Sequence, residues 1–241
     1  MLNPELRAKA VARLAVLRIR DFMLPTLGPT TSQLKLLPDI LARADPKLRR
    51  HLAGVEPFYA LAGTLTLYSH NIEGYQDIAR LFDVILAREP VFSVYMFAQI
   101  VMNRRDELYE FDDPDMLHVI LGKVPPKMNL NALITDSVTL FERYPPEILR
   151  GWPRISSSSV LKTARNVDHP DLQTLEEGRN LFEKQAREIR WVEVQDRIKM
   201  VMWAYRGSAK TVGLALAVGA FAFYLRRNPT TVNHVAGLFS R

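Results

Sequence analysis

The stretch "YQDIARLFDVILAREPVFSVYMFAQIVMNRRDELYEF", residues 75–111, carries two helical signatures in succession. In the first, Ile78, Leu81, Phe82, Ile85 and Leu86 recur at steps of three, one, three and one. They share one stripe, while Gln76, Asp77, Arg80 and Asp83 lie mostly off it. Pro90 stops this helix. The second run, from Val91, is strongly apolar and helical and ends in charges. Tyr75-Gln76 raises the question of a catalytic glutamine; the stripe beside it makes Gln76 a helix-start residue instead.

Working outward, the same texture holds. The 241 residues contain 15 prolines and 11 glycines. Alternating Val/Ile/Thr runs are missing, so the fold class expected is all-α. Upstream, residues 5–23 read as an amphipathic helix through Leu6, Ala10, Val11, Leu14 and Leu17, ended by Pro25, Gly28 and Pro29. "TTSQLKLLPDILARAD" restarts helix, with Thr31 or Ser32 as N-cap and a break or first-turn proline at Pro38. Asp45-Pro46 opens a short helix to Ala53. Phe58–Tyr68 is mostly apolar and too short to span a bilayer, which predicts a buried core helix. Downstream, Asp112, Asp113 and Asp115 suit a helix N-terminus that runs on to about Lys123. A further helix covers about 130–143 and closes at Tyr144-Pro145-Pro146.

After Pro153 the chain turns polar and serine-rich ("RISSSSVLKTARNVDHPD"), which reads as linker. Residues 171–205 are charged and helical, with a narrow stripe at Leu175, Phe182, Ala186 and Ile189. Between Lys210 and Arg226 lie fifteen uncharged residues, Thr211 to Leu225. As helix they cover about 22 Å, short of the ~30 Å hydrocarbon core. Flanking Trp203, Tyr205 and Tyr224 and the snorkelling Lys210 and Arg226 nonetheless suit a membrane anchor. The expected organisation is a helical domain over 1–150, a polar linker and juxtamembrane helix over 151–206, a transmembrane tail anchor over 207–227 and a short luminal tail over 228–241.

The chain has no cysteine, so disulfides, thiolate metal sites and cysteine nucleophiles are excluded. The five histidines are scattered, with no pair at i, i+3 or i, i+4, so neither metal nor cofactor is expected. There is no P-loop, G-x-S-x-G or G-x-G-x-x-G motif. The net charge of +6 is localised: residues 1–20 hold five Lys/Arg against one Glu, and residues 187–210 hold six against three acids. No basic-aromatic motif accompanies it, so nucleic acid is not an expected partner. Residues alone thus give a helical protein with no self-contained active site.

"RLFDVILAREPVFSVYMFAQIVMNRRDELYEFDD" resembles the closing segment of TBC domains, the Rab GTPase-activating domains, whose late motif runs R-[LI]-[WF]-D-x-x-L-x-x-x-P. Arg80, Phe82, Asp83, Leu86 and Pro90 match it. "LRIRDFMLPT" is similar to the R-D-F-M-x-P-T run of one subfamily, the tail-anchored TBC proteins of the endoplasmic reticulum and early secretory pathway. Arg20, Asp21, Phe22, Met23, Pro25 and Thr26 match that run. The resemblance covers about residues 14–146 and the hydrophobic C-terminal segment. It implies the C-terminal half of a TBC domain, a Rab-family small GTPase as partner, membrane attachment with the bulk facing the cytosol, and a role in ER–Golgi vesicle traffic. Arg80, Phe82, Asp83, Pro90, Arg20, Asp21, Phe22 and Pro25 are then structural motif residues.

The same resemblance implies two catalytic fingers, an arginine in I-x-x-D-x-x-R and a glutamine in Y-x-Q-G. The first stabilises charge on the transferring phosphoryl group and the second orients the attacking water. The chain contains neither motif and no Gln-Gly dipeptide; Tyr75-Gln76-Asp77 is not Y-x-Q-G. Two readings follow. One is an incomplete form of an activator, the one expected because its start cuts through a domain that should share one core. The other is a non-catalytic, membrane-anchored interaction protein.

Overall fold

The computed structural model describes residues 3–125, 128–165 and 173–227; the side chains of 204–215 and 225 fall outside that description. Among the described residues all regular structure is helical. The α-helices are α1 (Pro4–Leu17), α2 (Gly28–Leu34), α3 (Leu36–Ala44), α4 (Pro46–His51), α5 (Leu61–Leu65), α6 (Tyr75–Ala87), α7 (Phe92–Asn103), α8 (Arg105–Leu108), α9 (Pro114–Gly122), α10 (Leu130–Arg143), α11 (Val160–Thr163) and α12 (Leu175–Arg227). Three of them, α1, α4 and α9, start on a proline behind a capping side chain. Asp45 accepts from the Leu48 amide at 3.0 Å ahead of Pro46, and Asp113 from the Asp115 amide at 3.0 Å ahead of Pro114. This pairing satisfies an orphan donor while proline supplies the preset φ of the first turn.

The chain divides into two compact units, residues 1–187 and 188–241. The first is built around α7. Nine of its twelve residues, Phe92 to Ala98 with Ile100 and Val101, are buried, so it has no solvent face. A helix apolar all round must be enclosed, and α3, α5 and α10 pack against it. Tyr95 is held on two sides. Its ring meets Phe141 edge-on at 5.0 Å, and its hydroxyl donates to the Tyr144 carbonyl at 2.6 Å. The stripe of α6 faces this core through buried Leu81 and Ile85, with Ile78 and Phe82 half-buried; Leu86 stays exposed.

Four expectations change. The helix expected over 5–23 ends at Leu17, and Arg20–Met23 is a 3₁₀ turn. The buried helix expected through 58–68 is broken into a 3₁₀ turn (Pro57–Ala60), α5 and a reversal. There Leu67 and Tyr68 take φ of 49° and 64°, the left-handed region, without glycine. The Tyr68 amide bonds back to the Gly63 carbonyl at 2.8 Å, and its buried hydroxyl donates to the Ser93 carbonyl at 2.6 Å. Those two bonds and the stacking of Tyr68 on Phe97 offset a cost of about 1–3 kcal/mol for each such residue.

The third change concerns the linker expected from residue 151. Trp152, Ile155, Ser158, Ser159, Val160 and Leu161 are buried in the first unit. The end of the serine run, Ser158 and Ser159, is core because it is paired, as set out below. Residues 166–172, within the same expected linker, lie outside the described residues. The fourth concerns the anchor. Among the described residues no helix is long and apolar enough to cross a membrane. The span over 207–227 is therefore not supported: its uncharged run is short, and the rest of α12 is charged. The anchor limits Thr211 and Leu225 have side chains outside the described residues, as does the whole tail 228–241.

Inside the first unit α1 meets the start of α12 at Gly178. A β-carbon there would lie 2.5 Å from Val16 Cγ1 and 2.7 Å from Leu17 Cδ2. Valine is stiff at χ1 and cannot swing away cheaply. Gly178→Ala should therefore lower stability by about 1–3 kcal/mol. Gly122→Ala, with nothing within 4 Å of the added carbon, should be neutral or gain up to about 1 kcal/mol. Urea denaturation followed by circular dichroism checks the pair; equal behaviour of the two variants would contradict the close packing.

Candidate functional site

The structural centre of the first unit lies at "LRIRDF", residues 17–22. Three charged side chains leave it in three directions. The Arg18 guanidinium donates to the Leu86 carbonyl at 2.5 Å and the Arg88 carbonyl at 2.8 Å. A cation at these carbonyls satisfies acceptors that the end of α6 leaves open and complements its dipole. Arg20, fully buried, donates to the Val16 carbonyl at 3.2 Å, the Ser158 carbonyl at 2.7 Å and the Thr163 hydroxyl. Burial pulls both guanidinium pKa values below their ordinary range, and the adjacent Asp21 charge partly offsets this for Arg20.

Asp21, also buried, accepts three hydrogen bonds from two elements, α2 and the start of α11. Its Oδ1 takes the Val160 amide at 3.0 Å, at the first residue of α11. Its Oδ2 takes Gln33 Nε2 at 2.8 Å and the Ser159 hydroxyl. Ser159 in turn accepts from the Leu161 amide at 3.2 Å. The dry carboxylate is thus surrounded by donors, the condition under which a buried charge holds a fold together. Arg20 and Asp21 bind different residues of one partner segment, 158–163, and fix it against the 3₁₀ turn. That segment was read as linker because its serines look solvent-seeking. The available signal was Ser159 directly before Val160-Leu161, an N-cap ahead of an apolar turn.

A second charged group closes the far side of this segment. Arg165 pairs with Glu89 and, at 2.7 Å, with Glu147, and its guanidinium sits 5.4 Å from the Trp152 ring centre, with Lys162 Nζ at 5.6 Å. Burial raises the Glu89 pKa, while Arg165 pulls against that rise.

The remaining motif residues divide. Phe22 is half-buried and borders a small cavity with Ile19, Gln33, Ile85 and Pro90. Phe82 packs on the core, and the Pro90 carbonyl accepts the Ser93 hydroxyl at 3.0 Å. Pro25 is exposed. Arg80 and Asp83 are also exposed, and neither makes a hydrogen bond or ion pair with another described residue. Both were expected as structural motif residues; the stripe that buries Leu81 and Ile85 leaves their face of α6 exposed. Gln76, beside them, is exposed too. Among the described residues no group of His, Asp or Glu is placed to hold a metal ion.

Asp21→Asn keeps the shape but replaces one acceptor oxygen by a donor facing donors. It should cost about 2–4 kcal/mol, against near neutrality for Ser157→Ala on the exposed side of the same run. Thermal unfolding of the two variants beside the parent measures the difference; a neutral Asp21→Asn would contradict the hub.

Comparison with known proteins meets this geometry. Residues 1–109 match the family profile described as Rab-GTPase-TBC domain. The chain is 34% identical over 134 residues to the GTPase-activating protein gyp10 of Schizosaccharomyces pombe, covering 53% of this chain and 36% of that protein. It is 30% identical over 152 residues to TBC1 domain family member 20 of Bos taurus (62% and 38%). With the Homo sapiens protein of the same name it shares 26% identity over 229 residues (92% and 57%). The chain thus spans between 36% and 57% of the length of these relatives. The matched residues include Arg18, Arg20 and Asp21 of the hub and the exposed face of α6, so that this part of the chain is similar in sequence to Rab-GTPase-TBC domains.

Proposed function

We propose that this chain is the part of a Rab-family GTPase activator that builds and presents a partner-binding surface, acting in early secretory traffic, with the catalytic arginine and glutamine supplied from outside its sequence. The observation that carries the reading is the build of the R-D-F-M-x-P-T run, in which every charge is consumed in holding the fold. None of Arg18, Arg20 or Asp21 is free to enter another protein's nucleotide site. The family match over residues 1–109 supports a Rab GTPase as the partner class, and the similarity of the run to the early-secretory subfamily supports the cellular setting.

Chemistry agrees with that division. An arginine finger must reach an exposed position and donate to a phosphoryl group; Arg20 is fully buried, and its two terminal nitrogens donate inside the chain. Gln76 is exposed, but aspartate follows it where the Y-x-Q-G finger has glycine. The exposed and unpaired Arg80 and Asp83 are the charged motif residues available to a partner. The lack of both finger motifs also favours the second reading, a non-catalytic interaction protein that engages the same partner class.

Binding and catalysis separate in one assay. The full chain should bind one or more GTP-loaded Rab proteins from a panel while leaving their hydrolysis at the intrinsic rate. Arg80→Glu combined with Asp83→Arg should weaken that binding about tenfold, roughly 1.4 kcal/mol, with the unfolding midpoint unchanged. Absence of binding to any Rab would overturn the partner assignment. Accelerated hydrolysis would overturn the claim that the fingers lie outside this chain.

A further inference from the structure

The second unit contains α12 from Glu188 to Arg227. Every residue from 190 to 203 is exposed, although the stretch includes two tryptophans, two methionines and several β-branched residues. Within it Trp191, Val194, Ile198 and Val201 are spaced three, four and three apart, each between 47% and 64% exposed. That is the a/d spacing of a heptad seam. The sequence carries the register onward through Tyr205 and Val212, and no charged residue stands at an a or d position as far as Ala222. The eight charges between Glu188 and Lys210 all fall on the other five positions. A helix over 188–222 is about 52 Å long, or about five heptads, beyond the three to four at which such a seam signals coiling.

We propose that α12 beyond residue 188 forms a parallel, in-register coiled coil with a second copy of this chain. Length and charge placement select that occupant. The seam runs from Trp191 to Ala222 without an interrupting charge, bounded by Arg187 at d and Arg226 at a, so over that length it is complementary to itself. Arg190 and Arg197 both occupy g positions. In an antiparallel pair each would face the same residue type across the seam; in a parallel pair they face Gln195 and Met202 at e. An anionic lipid surface fits less well. A helix lying on such a surface gathers cations on its polar face, whereas Glu193 and Asp196 here sit among Arg190, Arg197 and Lys199. The proposal does not depend on the assignment of a Rab partner.

The chain lacks cysteine, so a single introduced thiol reports the geometry cleanly. The full chain with Val201→Cys, at d, should form a disulfide-linked dimer under mild oxidation at least tenfold faster than Lys199→Cys, at b. The preference should persist without lipid, and adding Ile198→Glu to the Val201→Cys chain should abolish it. Both single substitutions are at exposed positions, and circular dichroism verifies that helix content is retained. Equal rates at the two positions, cross-linking only with anionic vesicles, or a monomeric mass in sedimentation at tens of micromolar would each overturn the proposal.

Discussion

The buried carboxylate of Asp21 is the constraint on which the first unit depends. A charge removed from water is tolerable only if donors replace its hydration. Here they come from the Val160 amide, Gln33 and Ser159. Those donors belong to elements that lie far apart in sequence, so the carboxylate closes the unit by joining residues near its start to the turn that follows α10. Arg20 makes the same closure from the neighbouring position, on Ser158 and Thr163. Arg18 extends it to the end of α6. Three side chains within four positions thereby set how α1, α6 and α11 meet around the enclosed helix α7.

This arrangement explains why the run carries so many charged residues beside apolar ones and yet exposes so little of them. It also separates the charges that hold the fold from those left to solvent. The hub is internal, whereas the charged motif residues left to solvent, Arg80 and Asp83, lie on the outer side of α6. The inner side of that helix is fixed by Leu81 and Ile85.

Much of this was legible in the sequence, and the failures share a physical cause. The stripe of α6 and the apolar run of α7 announce themselves because burial imposes period and composition directly. Helix starts at Asp45-Pro46 and Asp113-Pro114 are equally plain because capping chemistry is local. The end of the serine run, Ser158 and Ser159, misled because its burial depends on an aspartate well over a hundred positions away. Composition records the polarity of the hydroxyls and not their partners. The break at Leu67 and Tyr68 was hidden for the same reason: a bond from Tyr68 to Ser93 outweighs the left-handed cost. At the C-terminal end an uncharged run suggested a span; with charges along the rest of α12, no described helix reaches the length and apolarity that a span requires.

Native-state hydrogen exchange at the Val160 amide tests the hub most directly, because that buried amide donates to the Asp21 carboxylate. If Asp21 closes the unit, Val160 should exchange only by global unfolding, at the rate of Tyr95 and Met96 in the core of α7. Exchange of Val160 at the rate of a solvated loop amide, while α7 stays protected, would show that the segment opens independently, and that the fold does not depend on the carboxylate.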